Sequence, residues 1–172
     1  NQLKRRAEPR QLRSEKRIDE ILEVTVRLLE EVGLDDLTTV LVAREIGISV
    51  GSVYHYFPNK FAILFAVGER WLENMTRTLK SIESRDLENM DIETFADQYC
   101  DEMLKIYRRQ IAVLPLVRAM FTVPELRVLD ERHDEEIING LMSAFKRLGV
   151  DRGDRELNRM GRLVLEIGRA HV

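Results

Sequence analysis

Nowhere in this chain do polar and apolar residues alternate over the length of a strand. Apolar residues recur instead at every third and fourth position, which restricts the chain to helices throughout. Ile18, Ile21, Leu22, Thr25, Leu28, Leu29 and Val32 follow i, i+3, i+4, i+7 spacing and predict one amphipathic helix, stopped by Gly33. Thr38 or Thr39 caps the next helix by accepting from its free amides. That helix is short, with Val42, Ala43 and Ile46 inward, and ends at Gly47. The turn Gly47-Ile48-Ser49 leads into a third helix over Val50 to Phe57. Pro58, with no amide hydrogen and a dislike of helical geometry at the residue before it, punctuates there.

Longer helices follow. A fourth places Leu64, Val67, Trp71, Met75, Leu79 and Ile82 on one stripe and ends in the polar run Ser84-Arg85-Asp86. A fifth carries Ile92, Phe95, Ala96, Tyr99, Cys100, Met103, Leu104 and Tyr107 in register. Ile111 to Phe121 is apolar nearly all round, broken by Pro115 and Arg118, and predicts a buried helix that is kinked or short. Pro124 opens another, with Leu126, Leu129, Ile137, Leu141, Phe145 and Leu148 inward and Gly149 as its stop. A last helix begins near Asp154, with Leu157, Met160, Val164 and Ile167 on its stripe.

Composition narrows the function classes. Apolar residues make up 44% and charged residues 33% of the 172, enough for a sizeable core. No apolar run approaches the roughly 20 residues of a membrane span. The single cysteine, Cys100, leaves no disulfide framework and no multi-cysteine zinc site. The net charge is only -3, but it is unevenly spread. From Asn1 to Arg17 seven Lys/Arg stand against Glu8 and Glu15, which makes that arm +5 and the remainder -8. No apolar segment follows the arm's charges, so it does not read as a secretory signal, and with one unpaired thiol the expectation is a cytoplasmic protein.

Three short helices with a tight turn before the third form a helix-turn-helix arrangement. Ala43 is small where helices two and three cross, Gly47 supplies the permissive turn backbone, and Ile48 and Val53 pack the third helix inward. Ser49, Ser52, Tyr54 and His55 remain on its outer face, with Gly51 near its start. Small polar residues and a glycine let a helix end approach a phosphate backbone, whose charge the helix amides favour.

The run Thr39 to Lys60, TVLVAREIGISVGSVYHYFPNK, resembles the signature of the TetR (tetracycline-repressor-like) family of bacterial transcriptional regulators. The preceding RIDEILEVTVRLLEEVGLDDLT resembles that family's first helix, so the likeness covers about residues 14 to 67. Gly33, Thr38 or Thr39, Ala43, Gly47, Ser49, Gly51, Tyr54, Phe57 and Lys60 fall on the family pattern. Two positions depart from it. The family usually has Ala where Val24 or Thr25 stands, and Glu or Asp where Phe61 stands. The resemblance implies an all-α protein: a basic arm over 1–13, a helix-turn-helix DNA-binding head over 14–60, and a larger helical effector-binding and dimerisation domain over 61–172. It implies a homodimer on a palindromic operator, usually a repressor, released by a small-molecule effector and using no other cofactor. Family members commonly carry one further helix that completes a four-helix dimer interface. A regulator that ignores ligands or needs a co-repressor is the alternative. A helical interaction protein or enzyme ranks below both, since no catalytic carboxylate pair, nucleophile elbow or phosphate-binding glycine loop is present.

Candidate contacts divide by role. Thr39, Arg44, Ser49, Val50, Gly51, Ser52, Tyr54, His55 and Lys60 are the expected DNA-binding set. Tyr54 points outward to phosphate and Phe57 inward. His55 meets base or phosphate, Thr39 combines cap and phosphate contact, and Lys60 meets phosphate at a helix start. Arg44 either touches DNA or pairs with nearby carboxylates, the default for an exposed arginine. The arm either adds phosphate or minor-groove contacts or is a solvated tail. For an effector pocket the candidates are Trp71, Tyr99, Met103, Tyr107, Arg118, Phe121 and His133. A Met and aromatic stripe more often forms core, His133 reads as a core histidine with a partner, and Arg118 needs an anionic partner. Asp130, His133 and Asp134 share a face, but DERHDEE reads as a polar surface and no metal is expected. Gly161 and Gly168 either allow close helix packing across a dimer interface or only weaken their helix.

Overall fold

The computed structural model describes residues 9–84, 87, 89–109, 115–118 and 123–169, and these are helical apart from short connections. Helix α1 spans Pro9–Asp36, α2 Thr39–Ile46, α3 Val50–Tyr56 and α4 Lys60–Glu83. After these come α5, Ile92–Arg109, a helical turn at 115–118, α6, Pro124–Arg147, and α7, Asp154–Arg169. The chain forms two compact units that divide after Val67, inside α4. Among the described residues no helix is long and apolar enough to cross a membrane.

Local chemistry sets the breaks in the first unit. Gly33 interrupts α1 with φ 77° and ψ 178°, so the regular helix ends there and only a short turn continues to Asp36. The Thr38 hydroxyl accepts from the Leu41 amide at 3.1 Å and caps α2. Gly47, at φ 76° and ψ 34°, takes the left-handed conformation that a side chain would resist. Its amide donates to the Arg44 carbonyl at 3.2 Å and the Ile48 amide to the Ala43 carbonyl at 3.0 Å. This pair of bonds closes α2 and turns the chain toward α3. The same two-bond stop recurs after α6, where Gly149 donates to Lys146 and Val150 to Phe145. The Asn59 side chain caps α4 by accepting from the Ala62 amide at 3.0 Å. Helix α2 packs on both α1 and α3. Ile21, Leu28, Leu29, Leu37, Val42, Ala43, Val53 and Phe57 are buried in this unit.

The second unit holds its own core. Phe95 packs on Tyr99 and edge-on to Phe145, with ring centroids 5.7 and 6.4 Å apart. Trp71, Met75, Met103, Leu129, Leu141 and Leu157 are buried with them. Two expected faces are corrected. Among the described side chains of α5, Phe95, Tyr99 and Met103 are buried, while Ile92, Ala96 and Cys100 are exposed. In α7 the buried stripe is Leu157, Gly161 and Leu165, one residue out of phase with the expected Met160, Val164 and Ile167. Gly161 explains the shift. A Cβ there would stand 3.4 Å from both Cγ2 and the carbonyl oxygen of Ile138, so the missing side chain lets α7 lie directly on α6. Its close packing is therefore within the chain. The packing of Gly168 lies outside what is described.

Candidate nucleic-acid interface

Helices α2 and α3, joined by Gly47-Ile48-Ser49, present one polar outer surface. Helical period decides which side chains lie on it. Val53 and Phe57 turn inward, and Tyr54 between them is 51% exposed. His55 is exposed and packs edge-on against Tyr56, with centroids 5.1 Å apart. Val50 and Ser52 are half-buried, and Ser49 and Gly51 are exposed.

The tyrosine hydroxyl is positioned. Thr39 is buried, and its Oγ1 donates to the Tyr54 hydroxyl at 3.2 Å. With a lone pair of the phenol oxygen engaged, its own hydrogen is left to point outward as a donor. Ser49 caps α3: its Oγ accepts from the Ser52 amide at 3.1 Å and bonds the Ser52 hydroxyl at 2.8 Å. At Gly51 a Cβ would meet only Ser49 Oγ, at an ordinary 3.8 Å. Nothing among the described residues therefore demands a glycine there, although glycine in a helix costs about 1 kcal/mol relative to alanine.

The basic residues differ in how far the fold engages them. Arg44 is exposed and makes no ion pair or side-chain hydrogen bond among the described residues. Its neighbour Glu45 is taken by Arg27, whose guanidinium lies 2.9 Å from that carboxylate and 3.5 Å from Glu31. The Glu45 hydrogen bond, ahead of the Coulombic attraction, holds the Arg27 charge more firmly than usual. Lys60 Nζ instead donates to the Leu34 and Asp35 carbonyls at 3.2 and 3.4 Å, bracing the end of α1. Of the basic arm, residues 1–8 lie outside the described residues, whereas 9–13 already belong to α1.

The described effector candidates fall in the second unit. Trp71, Tyr99 and Met103 are core residues, and Arg118 is exposed. Phe121 and the side chain of Tyr107 lie outside the described residues. His133 is buried, with Nδ1 3.4 Å from Thr76 Oγ1 and its ring 6.5 Å from that of Trp71. It lines a cleft of 250 Å³ between α4 and α6, together with Thr76, Glu69, Glu73, Arg132 and Glu136. Arg132 and Glu69 pair at 3.1 Å across it. The sequence reading missed the Thr39–Tyr54 bond and the Arg27–Glu45 bridge, which no local signal announces. It also missed the Asn59 cap, which an Asn directly before a helix does announce.

Residues 21–67 match the bacterial regulatory proteins of the tetR family. The chain is 34% identical over 79 residues to the HTH-type transcriptional regulator PksA of Bacillus subtilis (strain 168), covering 46% of this chain and 38% of that protein. It is 25% identical over 138 residues to the HTH-type transcriptional regulator BetI of Stenotrophomonas maltophilia (strain R551-3), covering 77% and 68%. The chain thus spans well under half of the first relative and two thirds of the second. In fold it is similar to a TetR transcription regulator from Haloarcula marismortui ATCC 43049, with a TM-score of 0.73 and 24% identity over 91% of this chain and 84% of that one. The helix-turn-helix geometry and these likenesses converge on one family: residues 21–67 match the TetR family of bacterial regulatory proteins, and the fold is similar to that of a TetR transcription regulator.

Proposed function

We propose that this protein is a sequence-specific, DNA-binding transcriptional regulator, a homodimeric repressor that sits on a palindromic operator and is released by a small-molecule effector. The observation that carries the reading is the outer surface of α2 and α3. There Tyr54 presents a hydroxyl fixed by Thr39, and among the described residues Arg44 is unengaged and Gly51 leaves room that none of them uses. In this arrangement α3 enters the major groove, and Tyr54, held by buried Thr39, and Arg44 hold the phosphates on either side. Ser49, Val50, Ser52 and His55 face the groove.

One such helix reads only a few base pairs, so a second copy related by a two-fold axis is needed for useful specificity. Leu163, 63% exposed, and Ile167 on α7 supply apolar surface that a second copy would cover. The cleft beside His133 gives the second unit a place where a small molecule can favour one dimer geometry over another.

Selection of bound duplexes from a random library by the purified, ligand-free protein at moderate salt tests the reading. An enriched near-palindrome, bound with a steep salt dependence, is the expected result. A folded dimer that enriches no sequence would overturn it in favour of an interaction protein or a regulator that needs a co-repressor.

A further inference from the structure

We infer that Val50 is a specificity-determining residue that reads the 5-methyl group of a thymine, so that each half-site carries thymine at the base pair facing the start of α3. The inference rests on the DNA-binding reading above. It follows from what the leading end of α3 offers, because the first residues of a recognition helix are those that reach base edges.

Helix α3 is VGSVYHY and contains no Lys, Arg, Asn or Gln. It therefore lacks every side chain that makes the paired hydrogen bonds by which guanine or adenine is usually picked out. At its leading end the Ser49 hydroxyl is bound to the Ser52 amide and hydroxyl. A hydroxyl can donate or accept, so this pair tolerates most base edges and discriminates little. Gly51 has no side chain, and Val53 is fully buried. The isopropyl group of Val50 is what remains, half-exposed at the first residue of the helix. A carbon-only side chain has one complementary feature in the major groove, the thymine methyl. Against the polar edges of the other bases it would displace water and return no hydrogen bond. Gly51 beside it permits the close approach that a contact between methyl groups needs.

The test changes the DNA before the protein. Once an operator has been selected, the thymine facing α3 in each half-site is replaced by deoxyuridine, which removes the methyl and preserves base pairing. Binding by the full-length protein should weaken about fourfold per half-site, the value of one buried methyl-sized group. The Val50→Ala protein, checked for unchanged helical content, should bind the thymine and deoxyuridine duplexes equally. Enrichment without thymine at that position, or equal binding of both duplexes by the unaltered protein, would overturn the role of Val50 and leave the DNA-binding reading intact. An equal loss in both proteins would also overturn it, by assigning the methyl effect to DNA shape. No enrichment of any sequence would overturn both readings together.

Discussion

The ammonium group of Lys60 and the guanidinium of Arg44 show how two cations of one surface can have different work. Lys60 donates to two carbonyls at the end of α1, acceptors that the helix leaves without an internal partner. Lys60→Met should therefore lower the thermal midpoint of the DNA-free protein, by about 1 kcal/mol of stability, and Lys60→Arg should restore part of it. Arg44 has no such bond among the described residues, so Arg44→Ala should leave the midpoint unchanged. It should instead weaken binding to all duplexes alike and reduce the salt slope by about one, measured by titration at several salt concentrations. A midpoint shift for Arg44→Ala, or none for Lys60→Met, would reverse the assignment. The outward Tyr54 and inward Phe57 were legible in the sequence, because three residues along a helix change the face by a known angle. The Thr39–Tyr54 bond was not, since it joins residues on different helices.

At the scale of the element, α3 sets stability against function. A Cβ at Gly51 meets nothing closer than 3.8 Å, so Gly51→Ala should raise the stability of the free protein by about 1 kcal/mol. The same change should weaken DNA binding, because the methyl group stands where the duplex would approach. Thermal unfolding and a binding titration on one sample check both halves. Helix α5 carries a pH-dependent start. Asp91 accepts from the Thr94 amide and from the Thr94 hydroxyl, each at 2.8 Å, and these bonds hold its carboxyl below the usual range. A group with a depressed folded-state pKa stabilises the fold above its unfolded value, and that contribution fades as pH falls through the folded one. Stability should therefore drop on acidification below the ordinary carboxylate range, and Asp91→Asn should flatten that part of the profile in unfolding scans at a series of pH values. The cap was missed in the sequence, where Ile92 reads as the first inward residue and is in fact exposed.

For the whole molecule, the division after Val67 means that unfolding probes need not coincide. Trp71, the single tryptophan, is buried in the second unit, so its fluorescence reports that unit. Gly161→Leu would force side-chain atoms into Ile138 and should lower the midpoint seen by Trp71 by about 2 kcal/mol of stability. An unchanged midpoint would mean that α7 does not need its close seat on α6. The described helices, their stops at Gly33, Gly47 and Gly149, and the helix-turn-helix order were determined by the sequence alone, whereas most of the helix expected over Ile111 to Phe121 lies outside the described residues. A 3.6-residue period, a left-handed glycine and a capping threonine act through neighbours along the chain. Tertiary structure alone decided which part of an over-wide apolar face is covered on α5 and α7. It also decided which polar groups meet: Thr39 with Tyr54, Lys60 with the end of α1, and Thr76 with His133. Those outcomes depend on residues far apart in sequence arriving within hydrogen-bond or contact distance, and the local spacing of side chains carries no record of that.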